Sequence, residues 1–169
     1  KKLIEFDRIT VGIIDRKGNR VTLPYVWGMD TAGRQSGDGF PLPGSLSEEL
    51  LTRRASLLIQ GEDEEELVAR FSSQLPFVQA GLRSTLLVPL IAQDTIIGNL
   101  VFYSKKPNAY ADHELKLAEG IGYQISGAID NAQLFKEQKR AEKELLKSED
   151  RYRRLVEISP LMILVHRQN

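Results

Sequence analysis

The stretch that most constrains this chain is residues 84–104, STLLVPLIAQDTIIGNLVFYS. Residues 86–90 and 96–103 are dense in β-branched and aromatic types, with Ala92, Gln93 and Asp94 as a short polar break between them. That pattern predicts two strands joined by a tight turn. A sheet with one wet face alternates apolar and polar residues, but here Leu86, Leu87 and Val88, and then Leu100, Val101 and Phe102, are apolar in succession. Both faces of the hairpin therefore require cover. Gly98, inside the second strand, marks a bulge or a close backbone approach.

Upstream, 9–15 (ITVGIID) and 20–27 (RVTLPYVW) read as strands flanking the turn RKGN, and Pro24 places the second at an edge or in a bulge. Residues 1–6 read as the last turn of a helix. The segment 28–39, GMDTAGRQSGDG, has four glycines and no apolar periodicity, so it is a loop. No Gly-Lys-Ser/Thr follows and no helix opens there, which argues against a phosphate-binding loop. Residues 40–46 contain two prolines and are extended at best. Ser47 is the expected cap of a short helix over 50–54, and a strand follows at 56–60. Asp63 is expected to cap a helix over 64–72, whose acidic first turn suits the helix dipole. The run EDEEE is thus a solvated helix start rather than a metal site. Residues 74–83, QLPFVQAGLR, deliver the chain into the hairpin, and the segment 71–83, broken by Pro76 and Gly81, reads as irregular enough to act as a lid.

From Asp112, the expected cap of the last element, no strong stop occurs up to Ser159, which is longer than a helix of a compact domain. A first apolar stripe, Leu115, Ala118, Ile121, Ile125, Ala128, Ile129, Ala132 and Phe135, is expected to cover one sheet face. From Leu134 a second stripe runs at spacings of four and three through Gln138, Ala141, Leu145, Ser148, Tyr152 and Leu155, a heptad seam. The expectation is a parallel homodimer along this seam, against a monomer whose helix folds back or frays. Past Ser159-Pro160, the run LMILVH looks like the beginning of a strand.

Lys plus Arg (23) equals Asp plus Glu (23), so no net field favours nucleic acid or an anionic membrane. No apolar run is long enough to cross a bilayer. The chain has no cysteine, which excludes disulfides, thiolate metal sites, thiol nucleophiles and thioether-linked pigments, and fits a cytoplasmic setting. It reads as an excised fragment. His113-Glu114-Leu115-Lys116 superficially resembles a histidine-kinase phosphoacceptor box, but Leu117-Ala118 follow in place of Thr-Pro, and the other histidine is the distant His166. With no nucleotide, nucleophile or metal motif, the expectation is that the fragment is not an enzyme.

Val88-Pro89-Leu90 followed by Ile97-Gly98-x-Leu100 resembles the central hairpin of GAF domains. Tyr110-x-Asp112-x-Glu114-x-x-x-x-Ala118 and then Ala128-Ile129-Asp130-Asn131-Ala132-Gln133-Leu134-Phe135 resembles the terminal helix of that family. The resemblance implies an α+β fold: a central antiparallel sheet with helices on both faces and a long C-terminal helix. It implies a GAF-like sensory domain over 1–135, a helical coiled-coil linker over 136–158 and, at 159–169, a truncated start of a PAS-like domain. Arg151-Tyr152-Arg153-Arg154-Leu155-Val156-Glu157-x-Ser159-Pro160, with Ile163-Leu164-Val165 after it, is similar to the opening of a PAS domain. That tandem is the architecture of bacterial signalling proteins such as sensor histidine kinases.

The resemblance leaves two functions open. One is a sensory module that takes a small molecule between the sheet and the segment 71–83, then passes its state along a dimeric helix. The other is a ligand-free structural dimerisation module. Trp27, Phe71, Phe77 and Tyr103 either line a cavity or fill a core. Arg83 is either the cationic handle for an acidic ligand or a partner of the EDEEE run. The chain lacks the cysteine of bilin-binding relatives and the Asn-Lys-x-Phe-x-x-x-Asp-Glu pattern of cyclic-nucleotide ones, so the resemblance leaves the cofactor or ligand unknown.

Overall fold

The computed structural model describes residues 4–165, with side chains at 4–132 and 134–157. The described chain falls into two units, parted between Gly127 and Ala128.

The first unit is built on a six-stranded sheet of order β3-β2-β1-β6-β5-β4. Its strands are β1 (Arg8–Asp15), β2 (Arg20–Gly28), β3 (Gly39–Pro41), β4 (Leu57–Gln60), β5 (Ser84–Ala92) and β6 (Thr95–Ser104), each antiparallel to its neighbours. The β5–β6 hairpin lies at the centre, as its apolar runs require. It turns through Gln93 and Asp94, both at positive φ (47° and 59°), the backbone of a two-residue turn that matches the twist of the flanking strands.

Two irregularities set which side chains face which side. Opposite Gly12 of β1 stand two residues of β2, Leu23 and Pro24, so the proline falls in a bulge where its missing N–H costs no ladder bond. On β6, Leu90 pairs with Gly98 but Ile91 with Ile96, leaving Ile97 as an extra residue. That extra residue turns Ile96 onto the same face as Val101 and Tyr103, where it joins the main core. Gly98 is fixed by the close approach of β1: a Cβ there would stand 2.2 Å from the Gly12 carbonyl oxygen.

One face of the sheet is covered by α1 (Leu46–Arg53), α2 (Glu64–Arg70) and α3 (Leu75–Gln79), with a 3₁₀ turn at Ser72–Gln74. Leu46, Leu50, Phe71, Phe77 and Leu82 pack there with Leu57, Ile59, Leu87, Val101 and Tyr103. The cap of α1 is Ser45, two residues before the expected Ser47. The Ser45 hydroxyl accepts from the Glu48 amide at 3.3 Å, and the Glu48 carboxylate accepts from the Gly44 amide at 2.8 Å. Ser47 is instead a buried residue inside the helix. Asp63 caps α2 as expected, accepting from the amides of Glu65 and Glu66. The segment after it is more regular than its proline suggested, because Pro76 sits in the first turn of α3, where no intrahelical donor is needed.

The other face is covered by the first part of α4 (Asp112–Val165). The Glu114 carboxylate accepts from the Ala111 amide at 3.0 Å, and this bond holds it below the ordinary carboxylate range. Ala118, Gly122 and Ser126 are the buried positions of this stretch, and a Cβ on Gly122 would stand 3.1 Å from a Val88 methyl. The Ser126 hydroxyl accepts from the Ile91 amide at 2.9 Å and donates to the Gly122 carbonyl at 2.8 Å. Ile121 and Ile125 are half-buried, whereas Ala128 and Phe135, expected on the same stripe, are exposed. The stripe missed Gly122 and Ser126 because neither is apolar by type; close approach selects them.

The second unit is the remainder of α4. Leu134, Ala141, Leu145, Tyr152 and Leu155 are exposed, as are Gln138 and Ser148 between them. The helix continues through Pro160 to Val165, so the strand expected over 161–165 is helix, and His166 lies outside the described residues. No helix among the described residues is long and apolar enough to cross a membrane.

Candidate functional site

The site is the space between the sheet and the lid formed by residues 71–83. Gly81, at φ 80°, ends α3, and the Leu82 amide donates back to the Phe77 carbonyl at 3.1 Å. The Arg83 amide donates to Ser104 at 2.8 Å, tying the end of the lid to the end of β6. Between these ties Phe77 points inward and stacks on Tyr103, with ring centroids 4.4 Å apart and planes 9° from parallel.

Beside this stack lies a small cavity of about 20 Å³, with Thr10, Ser47, Ser73, Gln74 and Asn99 among apolar walls such as Leu46, Leu87 and Val101. Such a volume holds about one water molecule. Its polar lining is unusual for a core. Thr10, Ser47, Ser73, Gln74 and Asn99 are all buried, and the Asn99 amide donates to the Ser47 hydroxyl at 2.8 Å. The Tyr103 hydroxyl shares a hydrogen bond with Thr10, and burial pushes its pKa well above the ordinary phenol value.

Two arginines stand near the Phe77 ring, which lines the cavity. Arg8, the first residue of β1, is fully buried and lies on the same face as Thr10. Its guanidinium donates through Nη1 to the Met29 carbonyl at 2.5 Å and through Nη2 to the Arg34 carbonyl. Arg34, from the glycine-rich loop, donates to the carbonyls of Gly33 at 3.1 Å and Ser73 at 3.3 Å, joining loop to lid. Both guanidiniums stand near the Phe77 ring, at 5.8 and 5.9 Å from its centroid, and Arg34 lies 4.3 Å from that of Phe40. Burial lowers the pKa of each.

Of the residues singled out in the sequence, Phe77 and Tyr103 come together. Phe71 is buried in the same core, with the Arg70 guanidinium 4.9 Å above its ring. Trp27 is not with them. It is 59% exposed on the opposite side of the sheet, edge-on to Phe6 at 5.7 Å, beside a groove of about 370 Å³ lined by Ile4, Ile9, Phe102 and Ile121. Arg83 faces outward and pairs with Glu64 of the acidic run at 3.0 Å. His113 is exposed in the first turn of α4. Among the described residues no group of three His, Asp or Glu is placed to hold a metal ion. Arg8 and Arg34 were missed. Arg8 stands one residue before the run read as a strand, yet it shares the period-two parity of the buried Thr10, Gly12 and Ile14. Nothing in its loop distinguishes Arg34.

Solved structures with this fold include the GAF domain of a two-component sensor histidine kinase from Bacillus halodurans, with TM-score 0.66 and 20% identity over 79% of this chain and 87% of that one. A domain of a putative two-component sensor histidine kinase from Sinorhizobium meliloti 1021 matches with TM-score 0.57 and 18% identity over 79% and 86%. Type II free methionine-R-sulfoxide reductase from Thermoplasma acidophilum matches with TM-score 0.57 and 15% identity over 72% and 77%. No curated protein matches the chain. The sequence model of the GAF domain matches residues 2–130, three-quarters of the chain and the whole sheet with its covering helices; the chain belongs to the GAF domain family.

Proposed function

We propose that this chain is the sensory module of a bacterial signal-transduction protein, binding a small molecule under the lid and passing its state along α4. The observation that carries this reading is the lining of the space beneath the lid. Five buried polar side chains converge there, and two guanidiniums stand near the Phe77 ring that lines it, whereas a domain that merely filled its own core would place apolar groups at such positions. Similarity to GAF domains of sensor histidine kinases supports the signalling context. A methionine-R-sulfoxide reductase shares the fold; this chain carries no nucleotide, nucleophile or metal motif, and we read it as non-catalytic. Because the cavity is only about 20 Å³, a ligand must displace residues 72–82 as it enters.

On this reading α4 acts through a second copy of itself. Its exposed apolar positions Leu134, Ala141, Leu145, Tyr152 and Leu155 follow heptad spacing and form the seam of a parallel homodimer. Gln138 and Ser148 weaken that seam, as a coil that changes register needs. The linker over 136–158 leads into residues 159–169, read here as the start of a PAS-like domain.

The small cavity and the stacked aromatics favour a second reading, a structural dimerisation module with no ligand. A fragment screen followed by amide chemical shifts separates the two. Sensing predicts saturable shifts clustered on Thr10, Asn99, Tyr103 and residues 72–79. Their absence, with shifts confined to other surfaces, would leave the structural reading.

A further inference from the structure

The two arginines at the site specify the chemistry of its ligand, given the sensory reading above. A guanidinium has five N–H donors and stays protonated in proteins, so burial desolvates a charge it cannot shed. Arg8 is fully buried, yet it makes no ion pair, and neither does Arg34, among the described residues. Asp30 and Asp38 of the loop act on Arg8 and Arg34 as nearby negative charge without reaching ion-pair distance, and they accept hydrogen bonds from the Gln35 side chain at 3.3 Å and the Gln35 amide at 2.7 Å, respectively. The partners that Arg8 and Arg34 do have are four main-chain carbonyls, of Met29, Arg34, Gly33 and Ser73.

Those carbonyls leave donors over. The Nε atoms of both arginines are buried without a hydrogen-bond partner, as is the Thr31 hydroxyl in the loop between them. An unfilled Nε beside an Nη is the edge that takes a carboxylate or phosphate through two parallel bonds. Both guanidiniums stand near the ring of Phe77, which stacks on the Tyr103 ring, and Arg34 also reaches the lid carbonyl of Ser73. Positive charge, unfilled donors and flat apolar surface meet at one place.

We propose that the ligand is a small organic anion whose carboxylate or phosphate group is held between Arg8 and Arg34, with its flat remainder against the Phe77–Tyr103 pair. Because Arg34 spans loop and lid, an anion that draws its guanidinium away from the Ser73 carbonyl releases the lid. The rival role for these arginines is to pin the loop over residues 29–38 through its carbonyls, with no ligand at all.

The test is an amide-shift titration of the full chain at constant ionic strength with three probes: benzoate, its neutral isostere benzamide, and inorganic phosphate. Benzoate or phosphate should shift Thr10, Phe77 and Tyr103 saturably. Benzamide should bind at least tenfold more weakly. Arg34→Gln should weaken the anion at least tenfold, and Arg34→Lys, which keeps the charge and guards against misfolding, should weaken it less. Tighter phosphate than benzoate assigns the phosphate class, and the reverse assigns the carboxylate class. Equal binding of benzoate and benzamide, or anion binding unchanged in Arg34→Gln, would overturn the anion and leave the site. No binding of any of the three would overturn the anion and the sensory reading together.

Discussion

Phe77 of the lid lies face to face on Tyr103 of the central strand, with centroids 4.4 Å apart and planes 9° from parallel. The pair links lid to sheet. Phe77→Ala removes a buried ring and should cost about 3–5 kcal/mol in denaturant unfolding. Tyr103→Phe keeps the stack and loses only the hydrogen bond to Thr10, so it should cost about 1 kcal/mol. Equal losses in the two variants would mean that the stack does not hold the lid.

Alkaline pH reports on the same ring. Burial raises the pKa of Tyr103, and that of Tyr110, in the folded chain. The unfolded chain therefore loses these protons first, from about pH 10 upward, and ionisation favours unfolding there. Stability should be unaffected by these groups below pH 10 and fall above it, by at most about 1.4 kcal/mol per tyrosine per pH unit. Absorbance at a phenolate wavelength should show at least two of the five tyrosines still protonated at pH 11 in the folded state.

Gly98 is irreplaceable for a steric reason. An added Cβ would meet the Gly12 carbonyl oxygen at 2.2 Å, and since that atom is main chain, β1 and β6 would have to part. Gly98→Ala should destabilise by about 1–3 kcal/mol or more. A thermal midpoint unchanged from wild type would contradict this packing.

The sheet was legible because its signals are local and redundant. Leu86 to Val88 and Leu100 to Phe102 announced burial on both faces, Pro24 an edge or a bulge, of which the bulge is found, and Gly98 a bulge or a close approach, of which the close approach to β1 is found at its own position. The helix caps were legible in type but not always in place, since Ser45 and Ser47 are equally good caps locally and packing chose between them: Ser47 is needed inside, against Asn99. The site was legible in part. Phe77 announced itself as an aromatic in a segment broken by proline and glycine. Trp27 did not show which face of β2 it would take, because the bulge at Leu23 and Pro24 shifts the parity of the strand. Arg8 and Arg34 were hidden, because a charged residue is by default read as solvated and only tertiary structure buries it.

The helix seam carries its own prediction. Leu145 is 62% exposed at the middle of the proposed dimer stripe. Sedimentation should show a dimer, and Leu145→Glu should weaken it at least tenfold while leaving the thermal unfolding of the first unit unchanged. A wild-type chain that stays monomeric at high micromolar concentration would make the stripe a solvated linker.

The most direct test of the account is native mass spectrometry of the chain purified without denaturant from the cells that make it. A bound anion adds an excess mass of a few hundred daltons or less that is lost on denaturation, and lost from native Arg34→Gln protein. A native mass equal to that of the bare chain, for wild type and variant alike, would contradict it.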